Sequence, residues 1–140
     1  MTVNPVYVYQ FTIPSDAIDE NGHVNNVRYV QWMQDVATRH YESLGGIPIA
    51  MSVGGTWVVR SHHIDYLRPA FAGEEIEART WIVDVHRVRS LRRYEFVRKS
   101  DGQVLVKGAT DWVFVDAKTG RPMALPPEIG QLFPLQPDEK

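Results

Sequence analysis

A chain of 140 residues, 44% hydrophobic and 23% charged, is long enough for one buried core and too ordinary in composition for a disordered or fibrous protein. Its formal charge of -2 gives no general attraction to nucleic acid or to a membrane surface, and no apolar run reaches the length of a membrane span. The absence of cysteine excludes disulfides, thiolate nucleophiles and thiolate metal sites. The N-terminus lacks a basic segment followed by an apolar core, so a cytoplasmic protein with a single domain, residues 1–140, is expected.

Residues 6–13 carry Val6, Tyr7, Val8, Tyr9, Phe11 and Ile13, the β-branched and aromatic pattern of a strand, stopped by Pro14-Ser15. A polar loop follows, Asp19-Glu20-Asn21-Gly22-His23-Val24-Asn25-Asn26, and runs straight into a predicted helix over 26–44. Tyr29, Trp32, Met33, Val36, Ala37, His40, Tyr41 and Leu44 recur there at the three-and-four spacing of one helical face. Asn25 or Asn26 is the expected N-cap, and Gly45-Gly46 with Pro48 is expected to close a helix about 28 Å long. Residues 47–55 read as a connector.

Four further strands are predicted at 57–67, 75–88, 91–99 and 104–115. Asp101-Gly102 is read as a two-residue hairpin with positive φ at both positions. A turn over 116–122, a short helical turn at Pro126-Pro127-Glu128 and a frayed tail over 136–140 complete the chain. Sequential strands with short connections pair antiparallel, and a helix apolar over a wide face must lie against the concave side of the sheet. The expected class is α+β: a strongly curved antiparallel sheet of about five strands wrapped around one long central helix.

The polar loop stands on the positive end of that helix, a natural place to hold negative charge. The segment from Asp19 to Tyr29 resembles the active-site segment of the hotdog-fold acyl thioesterases, both the 4-hydroxybenzoyl-CoA thioesterase group and the plant fatty acyl-ACP thioesterases. The acidic residue ahead of Gly22-His23-Val24-Asn25-Asn26 and the tyrosine after it carry the likeness, and the spacing of Asp19, Asn21 and His23 is similar to the plant enzymes in particular. Asp116, Thr119, Gly120, Arg121 and Pro122 also resemble the bacterial members.

The resemblance implies a hotdog fold, hydrolysis of acyl-CoA or acyl-carrier-protein thioesters without a cofactor, and a homodimer or homotetramer with sites between subunits. On this reading Asp19 is nucleophile or general base, and Asn21 and His23 orient water or the carboxylate. Free amides around Asn25 and Asn26 polarise the thioester oxygen. Two rival readings remain: a hotdog domain that binds an acyl group or a partner without catalysis, and an acyl-thioester dehydratase of the same fold.

His62 and His63 are adjacent on a predicted strand, so their rings point to opposite faces, and with His86 they supply no metal-ligand spacing. Glu95 lies where the plant enzymes carry a functional glutamate, and is otherwise an ordinary strand carboxylate. The basic run from His86 to Arg93 is expected at a strand junction, and two readings stand: a solvated edge whose charges discourage stray strand pairing, or a site where Arg87 and Arg89 meet coenzyme A phosphates or the acidic face of a carrier protein.

Overall fold

The computed structural model describes residues 4–138. Strands β1 (Tyr7–Thr12), β2 (Gly55–Tyr66), β3 (Glu75–His86), β4 (Arg89–Arg98) and β5 (Val104–Asp116) form one antiparallel sheet in the order β1-β3-β4-β5-β2. Helix α1 (Asn26–Ser43) and the shorter α2 (Gly46–Ser52) lie between β1 and β2 in the chain. Because those strands form opposite edges, the helical connection has to cross the sheet from one side to the other. A last helical turn, α3 (Pro127–Gly130), starts with proline at a position where no backbone N–H is needed.

Helix α1 buries Tyr29, Met33, Val36, Ala37 and His40, the stripe its spacing predicts. Facing it are Ile76, Ala78, Tyr94, Phe96, Leu105 and Val106 from the three inner strands. Alternation is unbroken along β1 and interrupted in the longer strands. In β3 both Ile82 and Val83 are buried, and the pairing register shifts between Ile82 and Asp84. Register shifts also fall between Phe96 and Val97 in β4 and between Val59 and Ser61 in β2. An extra residue bends and twists its strand locally, so these bulges bend the sheet locally.

Four local expectations are corrected. The connector over 47–55 is largely helical: Gly45 takes the left-handed conformation (φ 78°), and α2 starts at once. Pro48 falls in the first turn of α2, where its missing N–H has no partner to lose, so it does not break the chain. Gly46 is needed there because a Cβ would overlap the Tyr41 ring.

The Asp101-Gly102 hairpin is a longer loop in which only Gly102 has positive φ (71°), while Asp101 Oδ1 accepts from the Gln103 amide at 3.1 Å. The two-residue turn is instead Arg87-Val88, between the paired His86 and Arg89, with Arg87 at φ 57°. Leu125 N–H donates to the Arg87 carbonyl and Phe114 N–H to that of Val88, at 3.0 and 2.7 Å, which holds this strained turn in place. Finally, residues 136–138 are tied down. Gln136 N–H donates to Ile82 at 2.8 Å, and Asp138 takes both terminal bonds of Arg93 at 3.1 and 2.6 Å. The rest of the expected frayed tail, 139–140, lies outside the described residues.

Candidate active site

The loop ahead of α1 is closed by its own backbone. Asn25 N–H donates to Ala17 at 2.8 Å, Asp19 N–H donates to His23 at 2.8 Å, and Ile18 bridges Val24. Gly22 turns the loop back with φ 78°, a conformation glycine adopts without steric penalty. Val24 N–H donates to Ala70 at 2.9 Å, and the exposed His23 ring stands edge-on to Phe71 at 5.4 Å. The loop is therefore pinned to the segment that leads into β3.

The half-buried Asp19 carboxylate has two faces. Its Oδ1 accepts from the Asn21 amide at 2.9 Å, a local turn that also fixes its rotamer. Its Oδ2 has no partner among the described residues. Asn25 is the N-cap, its Oδ1 accepting from Val27 N–H at 2.9 Å, and its carbonyl accepts from Arg28 N–H at 2.9 Å. The amides of Val24 and Asn25 are also committed, so Asn26, the first helical residue, carries the amide that the helix leaves over. That N–H lies at the positive end of an 18-residue helix. Asp19, Asn21, His23, Asn25 and Asn26 are thus gathered in one loop, with a carboxylate oxygen and an amide both unspent.

Two tyrosines stand beside the loop, of which Tyr66 escaped the sequence reading. Tyr66, at the end of β2, donates its hydroxyl to the Asn26 carbonyl at 3.2 Å and braces the helix start. Tyr29, one turn into α1, is buried with no partner for its hydroxyl among the described residues. Burial first, then the negative charge of Glu74, pushes its pKa up to about 12. The motif tyrosine and its place on the buried stripe were legible; the unpartnered hydroxyl was not.

Arg87 and Arg89 are not brought to this loop within one chain. The loop is anchored at the start of β3, and the arginines flank its far end, 12 residues on, about 36 Å at the usual strand rise. The Arg89 guanidinium is already committed to the Asp111 carboxylate through both of its oxygens, and this pairing raises its pKa. Arg93 is bound to Asp138, and Arg92 points inward and is buried. Of the basic run, Arg87 alone keeps an exposed guanidinium without a partner among the described residues. Glu95 lies on the opposite face of β4 from the buried Tyr94 and Phe96, away from α1. His62 bonds Thr110 through Nδ1 at 2.8 Å, while His63 turns outward to Asp65.

The sequence profile described as the thioesterase-like superfamily matches residues 13–133, almost the whole of this fold including the Asp19 loop. The chain belongs to that superfamily. This thioesterase-like chain is 26% identical over 125 residues to the "L-carnitine dehydrogenase/betainyl-CoA thioesterase" of Ruegeria pomeroyi. That match takes 89% of the chain but 25% of the relative, so the chain spans about a quarter of that protein's length. It is 22% identical to the "Long-chain acyl-CoA thioesterase FadM" of Escherichia coli, over 80% of the chain and 85% of the relative.

Among solved structures, a 1,4-dihydroxy-2-naphthoyl-CoA thioesterase from Synechocystis superposes with a TM-score of 0.81 at 19% identity, covering 91% of this chain and 94% of that one. A Staphylococcus aureus protein solved in complex with CoA superposes with a TM-score of 0.85 at 20% identity, covering 94% and 84%. The superfamily and these likenesses agree on the architecture, and the thioesterase-like chain has the hotdog fold expected from its sequence.

Proposed function

We propose that the chain is an acyl thioesterase that hydrolyses acyl-CoA thioesters to a free acid and a thiol. The observation that carries this reading is the pairing, in one closed loop, of an uncommitted Asp19 oxygen with the unspent Asn26 amide at a helix N-terminus. Hydrolysis needs a base or nucleophile on one side of the carbonyl carbon and a donor for the oxyanion on the other. Asp19 supplies the first, by direct attack or by deprotonating water, and Asn26 N–H supplies the second. His23 and the Asn21 carboxamide, both exposed and without a hydrogen-bond partner among the described residues, orient the water or the thioester. The thiolate is a good leaving group, so no full triad is required. The names of the relatives support acyl-CoA as the carrier, and an acyl-carrier protein is the second carrier this chemistry accepts.

The working unit in this proposal is a homodimer or homotetramer in a reducing cytoplasm, which fits a chain without cysteine. One feature supports an assembly: β2 is a 12-residue strand at the edge of the sheet. Arg87 and Arg89 serve coenzyme A phosphates only from a neighbouring subunit, given their distance from Asp19 in one chain, and Arg89 must leave Asp111 to do so.

One observation favours the non-catalytic alternative: the Asp19–Asn21 turn gives the carboxylate a structural use. The test is free-thiol release from short, long and aromatic acyl-CoAs, with Asp19→Asn beside the wild type. Release by the wild type that disappears in the variant supports catalysis. Acyl-CoA binding without thiol release in the wild type would establish the binding module instead.

A further inference from the structure

Beneath the C-terminal half of α1 lies a cavity of about 220 Å³, bounded by α2 and by residues of β2, β3, β4 and β5. Asp19 does not line it. Trp57, Trp112, Phe133 and Tyr41 wall it with rings, and Arg92 and Ser90 reach it from β4.

Arg92 is the anomaly. It is 3% exposed, and buried arginines are almost always paired with a carboxylate. None pairs with it among the described residues. Its hydrogen bonds leave from Nη1 alone, to His40 Nδ1 at 3.0 Å and Thr80 Oγ1 at 2.9 Å. That uses both protons of one nitrogen and leaves the Nε–Nη2 edge, the fork that matches a carboxylate in two parallel bonds. His40 is no counter-charge: burial and the adjacent Arg92 depress its pKa to about 4, so it is neutral. Burial lowers Arg92 itself only to about 10, so the guanidinium is charged at neutral pH.

The rest of the wall repeats the imbalance. Ser90 Oγ is buried with no partner among the described residues, and so are the Tyr41 hydroxyl and the Trp112 indole N–H. Burial raises the pKa of Tyr41 and of Tyr94, and their polar neighbours, Trp57 and Trp112, offset this only in part and are not aligned as hydrogen bonds. The Arg92 guanidinium lies over the Phe133 ring at 5.7 Å, but no carboxylate among the described residues meets it, so the wall offers donors and a positive charge without an anionic acceptor. Rings alone would suit a quaternary ammonium, but the guanidinium excludes a cation.

We propose that this cavity is a binding subsite for a carboxylate carried on an apolar or aromatic body, with Arg92 and Ser90 holding the carboxylate and the rings of Trp57, Trp112 and Phe133 packing on the body. The carboxylate has two possible sources: the far end of an acyl group, in which case the inference rests on the thioesterase reading, or a free carboxylic acid.

The test is a calorimetric titration of the wild type with benzoate, 4-phenylbutyrate and hexanoate, each against its neutral amide. The carboxylates are expected to bind at least about tenfold more tightly, the discrimination of one well-placed charged pair. Arg92→Met should erase that discrimination, and Ser90→Ala should weaken carboxylate binding several-fold. Equal binding of acid and amide by the wild type overturns the proposal, as does a folded Arg92→Met that still discriminates. If Arg92→Met does not fold, the wild-type comparison and Ser90→Ala decide.

Thiol release then distinguishes the sources. A preference of about tenfold in kcat/KM for acyl-CoAs ending in a carboxylate over methyl-ended ones of equal length assigns it to the substrate. Parity assigns it to a free acid. A protein that releases no thiol from any acyl-CoA but still binds carboxylates selectively loses the thioesterase reading and keeps the subsite.

Discussion

Asp19 has one oxygen in a turn and the other free, and this division sets the expected behaviour of its variants. An asparagine keeps the Oδ1 acceptor for the Asn21 amide, so Asp19→Asn should fold as the wild type does. It lacks the charge, so turnover should fall at least about a hundredfold. Turnover within a few-fold of wild type in a folded variant would remove Asp19 from the chemistry. His40 gives a second prediction at this scale. Its pKa is about 4 in the folded protein, held down by burial and then by Arg92, and returns to its ordinary 6.5 on unfolding. The unfolded state therefore binds more protons between those values, and stability falls as pH drops from about 6.5 to about 4, by roughly 3 kcal/mol in all. Urea midpoints at pH 7 and pH 5 should show the loss, and His40→Gln, which retains an acceptor for Arg92, should flatten it. An unchanged slope in that variant would assign the acid sensitivity to other groups.

At the scale of elements, the amphipathic helix and the five strands were readable because each repeats a period many times. The features that escaped are those in which one residue overrides a pattern. Pro48 reads as a helix stop, yet three residues into a new helix it is harmless. The extra residue at the β3 bulge buries both Ile82 and Val83, which no alternation can anticipate. The β3–β4 turn was missed because its left-handed position holds Arg87 instead of glycine. That choice leaves room for improvement: a non-glycine residue in this conformation costs about 1–2 kcal/mol, part of which glycine forfeits again in entropy. Arg87→Gly should raise stability by up to about 1 kcal/mol in urea unfolding, and a clear loss would mean that the arginine side chain contributes a contact of its own. The polar loop was legible through its motif, and of the two asparagines expected to cap the helix the structure uses Asn25. The fate of the basic run was not, because Asp111 and Asp138 are distant in sequence from the arginines they neutralise.

For the whole molecule, the sheet has two open edges, β1 and β2, and the proposed assembly covers at least one of them. Sedimentation at micromolar concentration should give a dimer or a dimer of dimers. A fully active monomer would remove the shared-site part of the proposal. The same strand order also has a consequence for how the chain reaches this state. Strands β3, β4 and β5 are consecutive and joined by two short reversals, so they can zip together with little loop closure. Both edges must wait for partners far away in sequence: Tyr9 meets Ala78, and Gly55 meets Asp116. Loop entropy is lost before such contacts return anything, so the three-stranded meander should form first and the edges should join late. Pulse-labelled hydrogen exchange during refolding should find the amides of β4 protected ahead of those of β1. The loop that carries Asp19, strung between β1 and α1, would then be among the last parts of the chain to be organised, and activity should return more slowly on refolding than sheet structure does.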